Sequence, residues 1–144
     1  RPLSAAHRGA DGEVEFAAGS VKAMRSEGFV PVVNGDVVAH AGKGGTILSG
    51  DTIVVALARA LDADRVGLCS TVPGVLDGDG EVIREIESYD AVAGALGGSD
   101  ATDVTGGMAA KVRRLLELES PASVFDLDSL GTFFESGTAG TVVR

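Results

Sequence analysis

The chain has 144 residues, 21 Asp+Glu against 12 Lys+Arg, and a formal charge of −9. That length suits one ordinary domain with a real core, and the acidic balance argues against nucleic acid or an anionic membrane as partner. One cysteine, Cys69, excludes an internal disulfide framework, and no apolar run approaches the ~20 residues of a membrane-spanning helix.

The composition is rich in Val and Ala and poor in aromatics, which suits an α/β domain. Acid excess with only three lysines also fits a protein kept in solution in concentrated salt. No signal-peptide pattern is present, so the expected compartment is cytoplasmic. The chain opens at Arg1 with an irregular stretch, Arg1-Pro2-Leu3-Ser4, as a piece of a longer protein would.

In chain order, residues 14 to 27 read as a helix, with Val14, Ala17, Ala18, Val21 and Met24 at roughly helical spacing and Gly28 as its stop. "FVPVVNGDVV" reads as two strands joined by a hairpin turn at Asn34-Gly35-Asp36. "GKGG" (42 to 45) reads as a loop. A short strand then ends at Leu48 and passes through Ser49-Gly50-Asp51 into a helix that runs to about Leu61. "RVGLCS" reads as a buried strand followed by a turn at Val72-Pro73-Gly74, and "GDGEVIREI" as a turn and a short strand. Residues 105 to 119 form an amphipathic helix with Val112, Leu115, Leu116 and Leu118 toward the core. "ASVFDL" is a strand, 127 to 135 a short helix and "GTVVR" a last strand. Alternating strands and helices predict a sheet covered on both faces.

In open α/β sheets, ligands collect where strands end and helices begin. Three junctions stand out. Ser49-Gly50-Asp51 puts a glycine and a carboxylate at a helix start, and by itself reads equally as a helix cap. Cys69-Ser70-Thr71-Val72-Pro73-Gly74 ends a strand in hydroxyls and a tight turn. Cys69, with nothing basic beside it, reads as a small core residue rather than a nucleophile. Gly106-Gly107 lets backbone approach a ligand at a helix start, and Lys111 lies one turn further on. Together these would suit a phosphate; the alternative is a loop followed by a solvated lysine. The pattern is not a Walker A motif, which needs G-x-x-x-x-G-K-[ST].

The segments "NGDVVAH", "TILSGDTIVVALARAL", "DRVGLCSTVPGVLDGDG", "TDVTGGMAAKV" and "GTVV", in this order, resemble the amino acid kinase superfamily over nearly the whole chain. Within it, "TDVTGGMAAKV", "ILSGD" and "NGDVVAH" are most similar to the archaeal isopentenyl phosphate kinases. "VPGVL" is also similar to acetylglutamate kinases. The resemblance implies a three-layer α/β/α sandwich and ATP-dependent transfer to isopentenyl phosphate, giving a diphosphate. It implies that Lys111 reaches the transferring phosphoryl group and that Gly107 contacts nucleotide. Asp51 would hold the catalytic lysines in place, and Gly50 would lie against the substrate's phosphate. Ser70, Thr71 and Gly74 would flank the nucleotide. Mg²⁺ would accompany ATP without a dedicated protein metal site.

Two motifs differ from the family pattern. Ser70-Thr71-Val72-Pro73-Gly74 stands where relatives commonly carry Thr-Asp-Val-Asp-Gly, and Asn34-Gly35-Asp36 replaces the usual His-Gly-Asp. The family's Lys-x-Gly-Gly-Ser strand and second Gly-rich loop with its histidine are not in the sequence. His7 and His40 lack that context and read as surface or packing histidines. Residues 1–144 therefore resemble the C-terminal, nucleotide-binding lobe, with the N-terminal lobe outside them. The complete enzyme would be a homodimer. Alternatives are another superfamily member, such as an acetylglutamate kinase, or a non-catalytic nucleotide-binding module.

Overall fold

The computed structural model describes residues 5–96 and 107–144. The opening Arg1-Pro2-Leu3-Ser4 and Gly106, the first glycine of the pair, lie outside the described residues. The chain divides into two compact units, through Ala63 and from Asp64. The strands fall into two four-stranded sheets rather than the single one expected. Alternation of elements predicts strands but does not say which strands share hydrogen bonds.

The first unit holds β1 (Ala6–Arg8), β2 (Val14–Phe16), α1 (Gly19–Ser26), β3 (Asp36–His40), β4 (Gly44–Leu48) and α2 (Gly50–Leu61). Its sheet order is β2-β1-β3-β4. The expected helix over 14 to 27 is two elements. Val14–Phe16 pairs antiparallel with Ala6–Arg8, because Gly12 takes a left-handed φ of 88° and the Asp11 carboxylate accepts from the Glu13 amide, closing a hairpin. Helix begins only at Gly19.

The hairpin also lies elsewhere than expected. β3 and β4 pair from Asp36↔Leu48 to His40↔Gly44, so the turn is at residues 41–43, with Gly42 and Gly44 both left-handed. Two of the glycines in "GKGG" are therefore strand. Asn34-Gly35 makes no hairpin. A Cβ on Gly35 would sit 2.7 Å from the Leu48 carbonyl oxygen, so that glycine answers to close backbone approach instead. Along β3 the side chains alternate, with Val38 and His40 buried and Val37 and Ala39 exposed. Ala6, Val38, Leu48 and Ile53 form the core, with Val14, Phe16 and Leu57 against it, so α2 buries its apolar stripe on this sheet. His7 is exposed beside Glu15 and His40 is buried, a surface and a packing histidine.

The second unit holds β5 (Val66–Ser70), β6 (Glu85–Ile86), α3 (Tyr89–Leu96), α4 (Gly107–Leu115), β7 (Ala122–Asp126), a 3₁₀ turn (Leu127–Ser129), α5 (Leu130–Ser136) and β8 (Thr141–Val143). The sheet order is β5-β7-β8-β6. β5 and β7 run parallel from Val66↔Ala122 to Ser70↔Asp126, and β7 pairs antiparallel with β8. Ala122, Ser123, Val124 and Phe125 are all buried, as a central strand requires. Phe125 and Phe133 stack at 4.9 Å between centroids, with Ala139 and Leu130 completing the cluster.

Cys69 is exposed, which corrects its reading as a core residue. On β5 only Val66 and Leu68 face inward, and the period of two turns Cys69 outward. α3 escaped the sequence reading. It packs on α4, where Val112 and Leu115 are buried while Leu116 and Leu118 are only partly covered.

Candidate functional site

Two of the expected residues lie in the first unit, at a strand–helix junction, and five in the second, at the end of β5 and on α4. In the first unit β4 ends at Leu48 and α2 starts at Gly50. Ser49 is the N-cap. Its backbone is extended and its hydroxyl accepts from the Thr52 amide at 3.3 Å. Ser49 therefore does the capping, and Asp51 sits in the first turn beyond it, where a carboxylate also meets the positive end of the helix dipole. Gly50 is exposed, and a Cβ there would meet nothing within 4 Å. Among the described residues, no packing constraint at Gly50 demands a glycine.

In the second unit α4 opens at Gly107 with φ +60°, a conformation L side chains rarely adopt, and again with open space where a Cβ would point. Lys111 follows four residues later on the same helix, half-buried. The α4 start thus combines a glycine-dependent bend, backbone N–H groups without intrahelical partners and a nearby ammonium. Arg113, further along α4, stacks over Tyr89 of α3 at 3.9 Å and ties the two helices together.

β5 delivers Ser70, half-buried, and Thr71, exposed, at its carboxyl end. The parallel neighbour β7 brings Asp126 level with Ser70. Asp126 accepts from the Ser129 amide and so caps the turn that follows. Gly74 differs from the other candidates because it is buried. A Cβ there would stand 2.7 Å from both Thr141 Oγ1 and Val82 Cγ1, so internal packing already demands a glycine.

Sequence reasoning missed Thr141 and Gly140. Thr141 is fully buried, and its hydroxyl accepts from the Val75 amide at 2.8 Å and donates to the Ile83 carbonyl at 2.6 Å. A Cβ on Gly140, whose φ is +61°, would overlap the carbonyl oxygens of Val124 and Pro73. The signal was present in "GTVV", which contributed to the resemblance but was assigned no role.

The amino acid kinase family matches residues 4–120. The chain belongs to the amino acid kinase family. It is 60% identical to isopentenyl phosphate kinase of Haloferax volcanii over 143 residues, covering 99% of this chain and 58% of that protein. It is 32% identical to isopentenyl phosphate kinase of Methanocaldococcus jannaschii over 123 residues, covering 84% of this chain and 47% of that protein. A solved isopentenyl phosphate kinase superposes with a TM-score of 0.75 at 23% identity, over 99% of this chain and 57% of that one, which establishes the amino acid kinase fold. The chain thus spans just under three fifths of these relatives at most.

Proposed function

We propose that residues 1–144 are the C-terminal, nucleotide-binding lobe of an ATP-dependent kinase that converts isopentenyl phosphate to isopentenyl diphosphate. The observation that carries this reading is the start of α4. Gly107 needs its left-handed backbone, and one turn on stands one of three lysines in a chain of charge −9. An acidic protein repels ATP as a whole, so a local ammonium has a task there. The 60% identity to the Haloferax enzyme supports the choice of acceptor.

In phosphoryl transfer the bond from the γ-phosphorus to the bridging oxygen breaks, an acceptor phosphate oxygen bonds to that phosphorus, and ADP leaves. Catalysis is positioning plus charge stabilisation. Lys111 would neutralise charge on the transferring group. Gly107 would let backbone amides approach the phosphates, and Ser70 and Thr71 would border the nucleotide, with Gly74 as the buried end of the same turn. Gly50 would lie against the acceptor's phosphate. Asp51, relieved of capping by Ser49, would hold ammonium groups in place. An acceptor phosphate that is already ionised needs no general base.

Among the described residues no group of three or more His, Cys, Asp or Glu is placed to hold a metal ion. In this reading Mg²⁺ would accompany ATP, held mainly by nucleotide phosphates and water. No helix among the described residues is long and apolar enough to cross a membrane. The same reading makes the complete enzyme a cytoplasmic homodimer.

The lobe assignment is supported by exposed apolar surface. Phe29, Val30 and Val32 are 63%, 86% and 90% exposed in a stretch without regular structure, and the cross-strand pair Val37↔Ile47 is also exposed. Exposed apolar residues of this kind suit an interface, which the lobe reading assigns to the rest of the kinase fold. The test is calorimetric titration of MgATP into residues 1–144 and its Lys111→Ala variant. The expected result is weak, saturable binding that Lys111→Ala reduces at least about tenfold, as one charge-assisted contact implies. Equal binding by both would overturn the phosphate-facing role of Lys111.

A further inference from the structure

Gly74 is buried, has no room for a Cβ and touches Thr141 from inside the molecule. Thr141 in turn joins two segments. Its hydroxyl binds the Val75 amide and the Ile83 carbonyl, while the Ile83 amide donates to the Val75 carbonyl at 2.8 Å. Leu76 and Val82 bridge just beyond, so Thr141 sits at the root of the 75–83 loop. Gly140, pressed on the carbonyls of Val124 and Pro73, fixes the other side of the same turn. Ser70 and Thr71 are thus held between the β5 ladder and this seat.

We propose that Thr141 is a positioning residue for nucleotide binding, with its hydroxyl setting the height of the Ser70–Gly74 rim through the Val75 amide. This rests on the nucleotide reading above. Gly74 then serves the site by fitting Thr141, and the ligand is met by the exposed end of the rim. Replacing Thr141 by Val keeps the shape and leaves the Val75 amide buried without its acceptor, so the turn must shift to find another.

The test titrates MgATP into residues 1–144 carrying Thr141→Val or Thr141→Ser and follows exchange of the Val75 amide hydrogen by NMR, well below the melting temperature. Thr141→Val should weaken ATP binding about five- to tenfold, the size of one hydrogen bond, with loss of Val75 protection. Thr141→Ser should restore both. If Thr141→Val does not fold, Thr141→Cys, with a weak thiol acceptor, should lose part of the affinity. Unchanged affinity in the folded Val or Cys variant would overturn the proposal while leaving the nucleotide reading intact. No rescue by Ser would also overturn it. No ATP binding by the unmodified chain would overturn the nucleotide reading, and this proposal with it.

Discussion

Gly140→Ala should be among the most destabilising single-methyl additions in the second unit. Two costs combine at this position. Alanine at φ +61° pays roughly 1–2 kcal/mol for the left-handed backbone. The added Cβ would also overlap two carbonyl oxygens, those of Val124 and Pro73. Both are backbone atoms, Val124 in the buried β7, so neither can swing aside as a side-chain end would. Overpacking typically costs about 1–3 kcal/mol, giving at least about 2 kcal/mol in all. In a domain of this size that lowers Tm by at least about 6 °C. The chain has one tyrosine, Tyr89, and no tryptophan, so intrinsic fluorescence reports on this unit. The control is Gly94→Ala on the exposed face of α3, where a Cβ would meet nothing within 4 Å. It should gain about 0.5–1 kcal/mol from helix propensity. A Gly140→Ala melting within about 2 °C of the parent would refute the reasoning, because the seat for the 70–74 turn would then be loose.

Three further outcomes are expected. Ser49→Ala should cost about 1 kcal/mol of stability through the lost cap. Asp51→Asn should cost only about 0.3–1 kcal/mol yet lower turnover of the complete enzyme at least about tenfold; paired melting and kinetics that show Asp51→Asn silent in turnover would leave Asp51 as a dipole partner only. Gly67→Ala would place a Cβ 2.9 Å from Phe133 Cε1 and Cζ and 3.0 Å from Phe125 Cε1, prying the stacked rings apart. Urea unfolding followed at Tyr89 should show a loss of about 1–3 kcal/mol.

Much of the fold was legible in the sequence where two signals agreed. The strand–Ser–Gly–Asp–helix junction at 46–61 carried both a cap residue and a helical apolar period, and it folds as read. The β5 and β7 strands carried short, mostly apolar runs, VGLCS and ASVFD, bounded by turn residues. Where a single signal stood alone, geometry decided otherwise. Val14, Val21 and Met24 happened to lie at helical spacing, but Gly12 folds the chain back before Val14 and makes it strand. Asn34-Gly35 has hairpin composition, but its glycine is claimed by the Leu48 carbonyl. Cys69 was assigned by the apolar character of its strand, which does not reveal which face is covered.

Of the candidate site, Gly107 and Lys111 drew attention in the sequence as a glycine pair and a lysine in a lysine-poor chain, and Gly50 through the family resemblance; the structure adds open space at both glycines among the described residues. Thr141 was not legible, since a buried threonine in a terminal strand looks like any β-branched residue. Its role depends on partners 66 and 58 residues away in sequence.

The most direct test is ADP release from ATP, measured with isopentenyl phosphate as acceptor, by residues 1–144 alone and with the N-terminal half of the kinase fold supplied fused or as a separate chain. Because donors must be preorganised around the transferring group, the chain alone should show no measurable turnover, and the added half should restore transfer to isopentenyl phosphate. Robust turnover by residues 1–144 alone would contradict the division of labour, and no transfer to isopentenyl phosphate after the half is added would contradict the choice of acceptor.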